Sequence, residues 1–185
     1  MKAIDVLMDE HRVIERVLIS LEAEADRLAH GETVRPGFFL DAADFASGFA
    51  DKCHHQKEEG VLFPAMTTHG VPATGGAIEM MLDEHEAGRA YVRQLRNAAG
   101  QLASGDPDAV RQIIAAARGY AALLRDHIEK EDEVLFPMAA EMIPEPVHDE
   151  VMAMFESIEK EDTGPQGHAQ LLELAERLQR EAGTR

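Results

Sequence analysis

The chain has 185 residues, of which 45% are hydrophobic and 29% charged, and it carries a formal net charge of −17. That length suits one domain with a real core, or a domain plus a helical appendage. Acidity of this size argues against binding nucleic acid or an anionic membrane, because both need a positive patch.

Ala, Leu, Glu, Arg and Met dominate and β-branched runs are nearly absent, so the expected class is all-α. A first helix is predicted from about Ala3 to Ala29, with Ile4, Leu7, Ile14, Leu18, Leu21 and Leu28 on one stripe. Gly31 should close it, and Pro36-Gly37 belongs to the following turn. A second helix should start near Phe38 and carry Phe39, Ala42, Phe45 and Phe49. It should kink or stop at Pro64, which lacks a donor and crowds the carbonyl of Gly60. THGVPATGG (68–76) is the clearest loop.

A third helix is predicted from about Ala77 to Ala103, ended by SGDP (104–107). Asp106 as N-cap and Pro107 as first helical residue should open a fourth. That helix carries Val110, Ile113, Ile114, Ala117, Tyr120 and Leu124 and should break near Pro137 or Pro144. Four such helices with short loops imply an antiparallel up-down four-helix bundle over residues 1–144. Two shorter amphipathic stretches, 147–160 and about 166–181, flank the polar break EDTGPQG (161–167). They form a C-terminal helical extension, 145–185, expected to pack on the bundle or to serve self-association.

Cys53 is the only cysteine, which excludes an intramolecular disulfide and a cysteine-based zinc cage. The N-terminus has no apolar signal core, and no apolar stretch approaches the roughly 20 residues of a membrane span. The expected location is a reducing cytoplasm.

The chemistry sits in a stretch that the chain writes twice. Residues 54–64 read HHQKEEGVLFP and residues 127–137 read HIEKEDEVLFP. Each copy sets a histidine four residues before a glutamate, His54 with Glu58 and His127 with Glu131, which places both side chains on one helix face. Upstream, LMDEH (7–11) and MLDEH (81–85) add His11 and His85 at nearly matching distances. The chain thus reads as two versions of one helical hairpin. Packed with rough two-fold symmetry, they would bring four histidines and two glutamates to the centre. Imidazole with carboxylate is a donor set for a divalent transition metal, iron, manganese or zinc.

At these residues the chain resembles the hemerythrin-like HHE cation-binding family, over essentially all of residues 5–140. The resemblance implies a non-haem di-iron centre of two iron ions, bridged by oxo or hydroxo groups and carboxylates. Its ligands would be His11, His54, Glu58, His85, His127 and Glu131, with Glu58 and Glu131 as bridges. Where oxygen-carrying members have a second histidine one turn past the third-helix histidine, this chain has Arg89. Glu15, His55 and Tyr120 are candidates for the missing ligand. The expectation for each is nonetheless a plain role: a salt bridge of Glu15 with Arg16 or Arg89, a rim position for His55, and packing for Tyr120. Glu10 and Glu84 could orient imidazoles from outside. Leu62, Phe63, Leu135 and Phe136 should cap one end of the site, with Ile14, Phe45 and Phe49 on the other side.

The function implied is binding of, or reaction with, a small ligand such as dioxygen, peroxide or nitric oxide, with room for a redox partner. The alternatives are an iron store, sensor or donor for repair, and a structural or partner-binding bundle.

Overall fold

The computed structural model describes residues 1–103, 106, 108–160 and 164–184, and among these it is helical with no strand. Ser104, Gly105 and Pro107 of the predicted SGDP break, and residues 161–163 of the polar break, lie outside the described residues.

Helix α1 spans Lys2–Ala29 and buries the predicted stripe, together with Val17 and Ala25. It ends because Gly31 adopts φ 78°, a left-handed conformation that is cheap only without a Cβ. The amides of Glu32 and Gly31 then turn back onto the carbonyls of Arg27 and Leu28, closing a Schellman cap.

Helix α2 (Pro36–Phe45) continues through widened π-helical turns at Ala46–His55 and Glu58–Leu62 into α3 (Phe63–Thr68). The second half repeats the end of this pattern. Helix α4 spans Ala77–Ala103 and α5 spans Ala109–Lys130; a π-helical turn at Glu131–Leu135 then leads into α6 (Phe136–Met142). At Pro64 and Pro137 the helix therefore changes type instead of stopping, and the break expected near Pro137 or Pro144 comes at the latter, where α6 ends at Met142 and Pro144 is extended. Each proline is the second residue of the α-helical segment that follows the π turn. The π turn before it widens the backbone where the ring would crowd the preceding carbonyl. Before α5, Asp106 stays outside the helix and accepts from the amide of Asp108 at 2.9 Å, so Asp108 holds the cap position predicted for Asp106.

Ion pairs show how the helices lie on one another. Along α1 and α5 they join Glu22 to Arg125 and Asp26 to Arg118. Between the second helical segment and α4 they join Asp44 to Arg96 and Asp51 to Arg89. In both series the numbers rise on one helix as they fall on the other.

Two apolar cores result. One gathers Ile14, Leu18, Phe38, Phe39, Phe49, Leu95, Ile113 and Leu124. The other gathers Leu7, Leu62, Phe63, Met81, Leu135 and Phe136. A polar layer lies between them: His11 falls between Leu7 and Ile14, His85 between Met81 and Val92, and His127 and Glu131 between Leu124 and Leu135. Helix α7 (His148–Ile158) puts Val151 and Phe155 into the second core, and α8 (Gly164–Ala182) puts Ala175 and Leu178 into the first. Both C-terminal helices are thus part of the packing that encloses the polar layer.

Candidate metal centre

The polar layer holds buried His11, His54, His55, Glu58, His85, His127 and Glu131. Glu131 spans the two hairpins, with one oxygen 3.2 Å from Nε2 of His11 and the other 3.3 Å from Nε2 of His127. Glu58 does the same between His54 and His85, at 3.5 Å to each Nε2. The donor atoms fall into two groups, each within 4.8 Å: His11, His54, Glu58 and Glu131; and His55, Glu58, His85 and His127.

Carboxylates outside this layer set the direction of the rings. Nδ1 of His54 lies 3.0 Å from Glu10 and that of His127 lies 2.9 Å from Glu84. Nδ1 of His11 lies 2.7 Å from Asp132 and that of His85 lies 2.6 Å from Glu59. A neutral ring that donates outward through Nδ1 leaves Nε2 facing inward as an acceptor. The anchors of the pairs His54 and His127 come from their own hairpin. Those of the lone histidines His11 and His85 come from the opposite one. Lys57 and Lys130 in turn hold Glu10 and Glu84.

Eight atoms of this layer are buried without a hydrogen-bond partner: Nε2 of His11 and His54, both ring nitrogens of His55, and all four oxygens of Glu58 and Glu131. Left so, each costs about 1–3 kcal/mol. Burial, and then the charge of Glu131, holds the Glu58 carboxyl well above the usual carboxylate range. Burial, and then the neighbouring His11, pushes His54 down to about 4, so it is neutral at pH 7, the form in which imidazole binds metal. Convergent lone pairs and crowded carboxylates are what divalent cations satisfy, and the residues present fit them.

The four histidines and two glutamates of the repeat are thus brought together, and His55 joins them. Expected at the rim, His55 is buried and stacks on His85 with ring centroids 3.8 Å apart. The reason is the π-helical stretch Ala46–His55, in which neighbouring side chains diverge less around the axis than in an α-helix. The second copy has an ordinary α-helix there and carries buried Ile128 in the matching place. That apolar residue was the signal in the sequence that position 55 faces inward.

Glu15 lies outside both donor groups and pairs with Arg12 at 3.0 Å, with neither Arg16 nor Arg89. Arg89 is held by Asp51, Glu59 and Glu86. Tyr120 is buried and lines a cavity beside His55. Phe136 stacks on His11 at 5.3 Å and Phe63 on His85 at 6.1 Å, closing the end predicted for them. Ile14, Phe45 and Phe49 belong to the opposite core, where the two phenyl rings stack on each other. Glu59, Asp132 and the two lysines went unassigned in the sequence, although the repeat aligns Glu59 with Asp132 and Lys57 with Lys130.

No solved structure matches the chain. Uncharacterized proteins of Mycobacterium bovis and of two strains of Mycobacterium tuberculosis are each 22% identical over 177 residues, covering 96% of this chain and 69% of the relative. Residues 2–139 match the hemerythrin HHE cation binding domain, a stretch that contains every donor of the polar layer. The chain belongs to the hemerythrin HHE cation-binding family.

Proposed function

We propose that this is a non-haem di-iron protein of the hemerythrin type, acting in the cytoplasm on a small ligand such as dioxygen, peroxide or nitric oxide. His11 and His54 would hold one iron and His55, His85 and His127 the other, with Glu58 and Glu131 shared between the two groups. The observation that carries this reading is the set of buried lone-pair atoms with no partner in the protein. Bound there, an iron pair supplies redox chemistry and an open position for the small ligand.

The protein's own residues do the rest. Glu10, Glu84, Glu59 and Asp132 keep each imidazole proton on Nδ1 and each Nε2 turned inward. Phe63 and Phe136 keep water from the rings they cover. We take residues 1–144 to act as an antiparallel up-down four-helix bundle and residues 145–185 as an extension packed over it.

The test is metal analysis of the purified protein, with optical spectra before and after reduction and exposure to air. About two irons per chain and near-ultraviolet bands of a bridged ferric pair, lost on reduction and regained in air, are expected. Zinc alone, or no metal, would sink the proposal.

A further inference from the structure

Beside the polar layer, between the π-helical stretch and α4, lies a cavity of about 180 Å³ lined by Ser47, Asp51, His55, Arg89, Arg93 and Tyr120 among others. The pocket belongs to no donor group except through His55, and its polar walls are unevenly supplied. His55 and Tyr120 are 4% and 5% exposed. Both ring nitrogens of His55 lack a hydrogen-bond partner; its closest carboxylate, on Asp51, stands off at 3.7 Å because Arg89 occupies it. Among the described residues nothing accepts from or donates to the hydroxyls of Ser47 and Tyr120 or pairs with the guanidinium of Arg93. Arg96 completes the mouth and pairs with Asp44 at 2.6 Å.

Of the three guanidinium groups that line the cavity, Arg89 is paired with Asp51, Glu59 and Glu86 and Arg96 with Asp44, which leaves Arg93 and two hydroxyls as its free donors among the described residues. The Asp51 carboxylate in the same wall is already taken by Arg89, so the charge left uncompensated there is the positive one of Arg93. Its volume is below the roughly 300–1,000 Å³ of pockets for drug-sized ligands. Guanidinium forks match the paired oxygens of a planar oxyanion.

We propose that this cavity is a binding site for a small planar oxyanion of nitrate or carboxylate size, held by Arg93, Ser47 and Tyr120 beside the buried ring of His55. The site stands whichever metal fills the polar layer, because Arg93, Ser47 and Tyr120 belong to neither donor group and only His55 is shared.

Calorimetric titration of the purified, metal-loaded protein with sodium nitrate at fixed ionic strength tests it. Saturable binding is expected. Arg93→Ala and Tyr120→Phe should each weaken it about tenfold, the worth of one hydrogen bond to a charged partner. Arg93 is exposed, so that variant does not threaten the fold. Arg111→Ala, which removes an exposed arginine on α5, should leave the affinity unchanged. No saturable heat would overturn the proposal. So would an affinity that both cavity variants retain, since nitrate would then sit on the metal or elsewhere on the surface.

Discussion

Lys57 and Lys130 hold equivalent places in the two copies of the repeat, and each pairs with a glutamate that anchors a histidine. Their surroundings differ. The Lys57 side chain is 0% exposed, with Glu159 3.7 Å away beyond the end of α7, whereas that of Lys130 is 37% exposed. Lys57→Met would leave Glu10 charged and buried with its lysine partner gone, and breaking a buried pair costs about 3–5 kcal/mol. Lys130→Met exposes Glu84 to solvent that screens it, so about 1 kcal/mol or less is expected. One kcal/mol moves the melting temperature of a chain this long by about 2–4 °C, which predicts a fall of roughly 6–20 °C for Lys57→Met and at most about 4 °C for Lys130→Met. Adding Glu10→Gln to Lys57→Met should recover part of the loss, because the stranded charge goes while His54 keeps an acceptor. Melts followed by circular dichroism, at equal metal content, decide the matter. Equal losses from the two lysines, or a double variant no better than the single, would refute the reasoning.

Three further outcomes follow from the same geometry. Stripping metal with a chelator at neutral pH should lower the melting temperature by about 5–15 °C, because the partnerless carboxylates then face one another; an unchanged melt would mean that no ion satisfies them. Asp132→Asn should weaken metal binding about 10–100-fold in competition with a chelator, since His11 loses a charged anchor. Wild-type affinity in that variant would show that the ring is held by packing alone. Cys53 is buried, and burial followed by the charge of Glu10 pushes its thiol up to about 12. At about pH 8 it should be alkylated far more slowly in the folded protein than in the unfolded one, and equal rates would contradict its placement.

The helices and the repeat were legible because both depend on spacing along one chain. The stripe from Ile4 to Leu28 and the matched pairs His54–Glu58 and His127–Glu131 need only the period of a helix to be seen. What stayed hidden depends on departures from that period or on contacts between hairpins. His55 follows a donor directly, and an α-helix would turn it roughly 100° away. The π-helical stretch that brings it inward has no simple signature in residues 46–55. Glu59 and Asp132 look like ordinary solvated acids until the opposite hairpin sets His85 and His11 against them. Pro64 and Pro137 mark real events, but a widened turn absorbs the ring without ending the helix.

The crossed anchoring of the lone histidines has a consequence for how the chain is made. A first hairpin emerging alone from the ribosome carries His11, His54 and Glu58, but the acid that steadies His11 is more than a hundred residues away and not yet synthesised. Such a half-chain is a poor trap for passing ions, since one of its rings swings freely. Only when the second hairpin docks in the correct register do Asp132 and Glu59 reach across and stiffen both sets at once. Tight capture of an ion would thereby wait until the two halves have met.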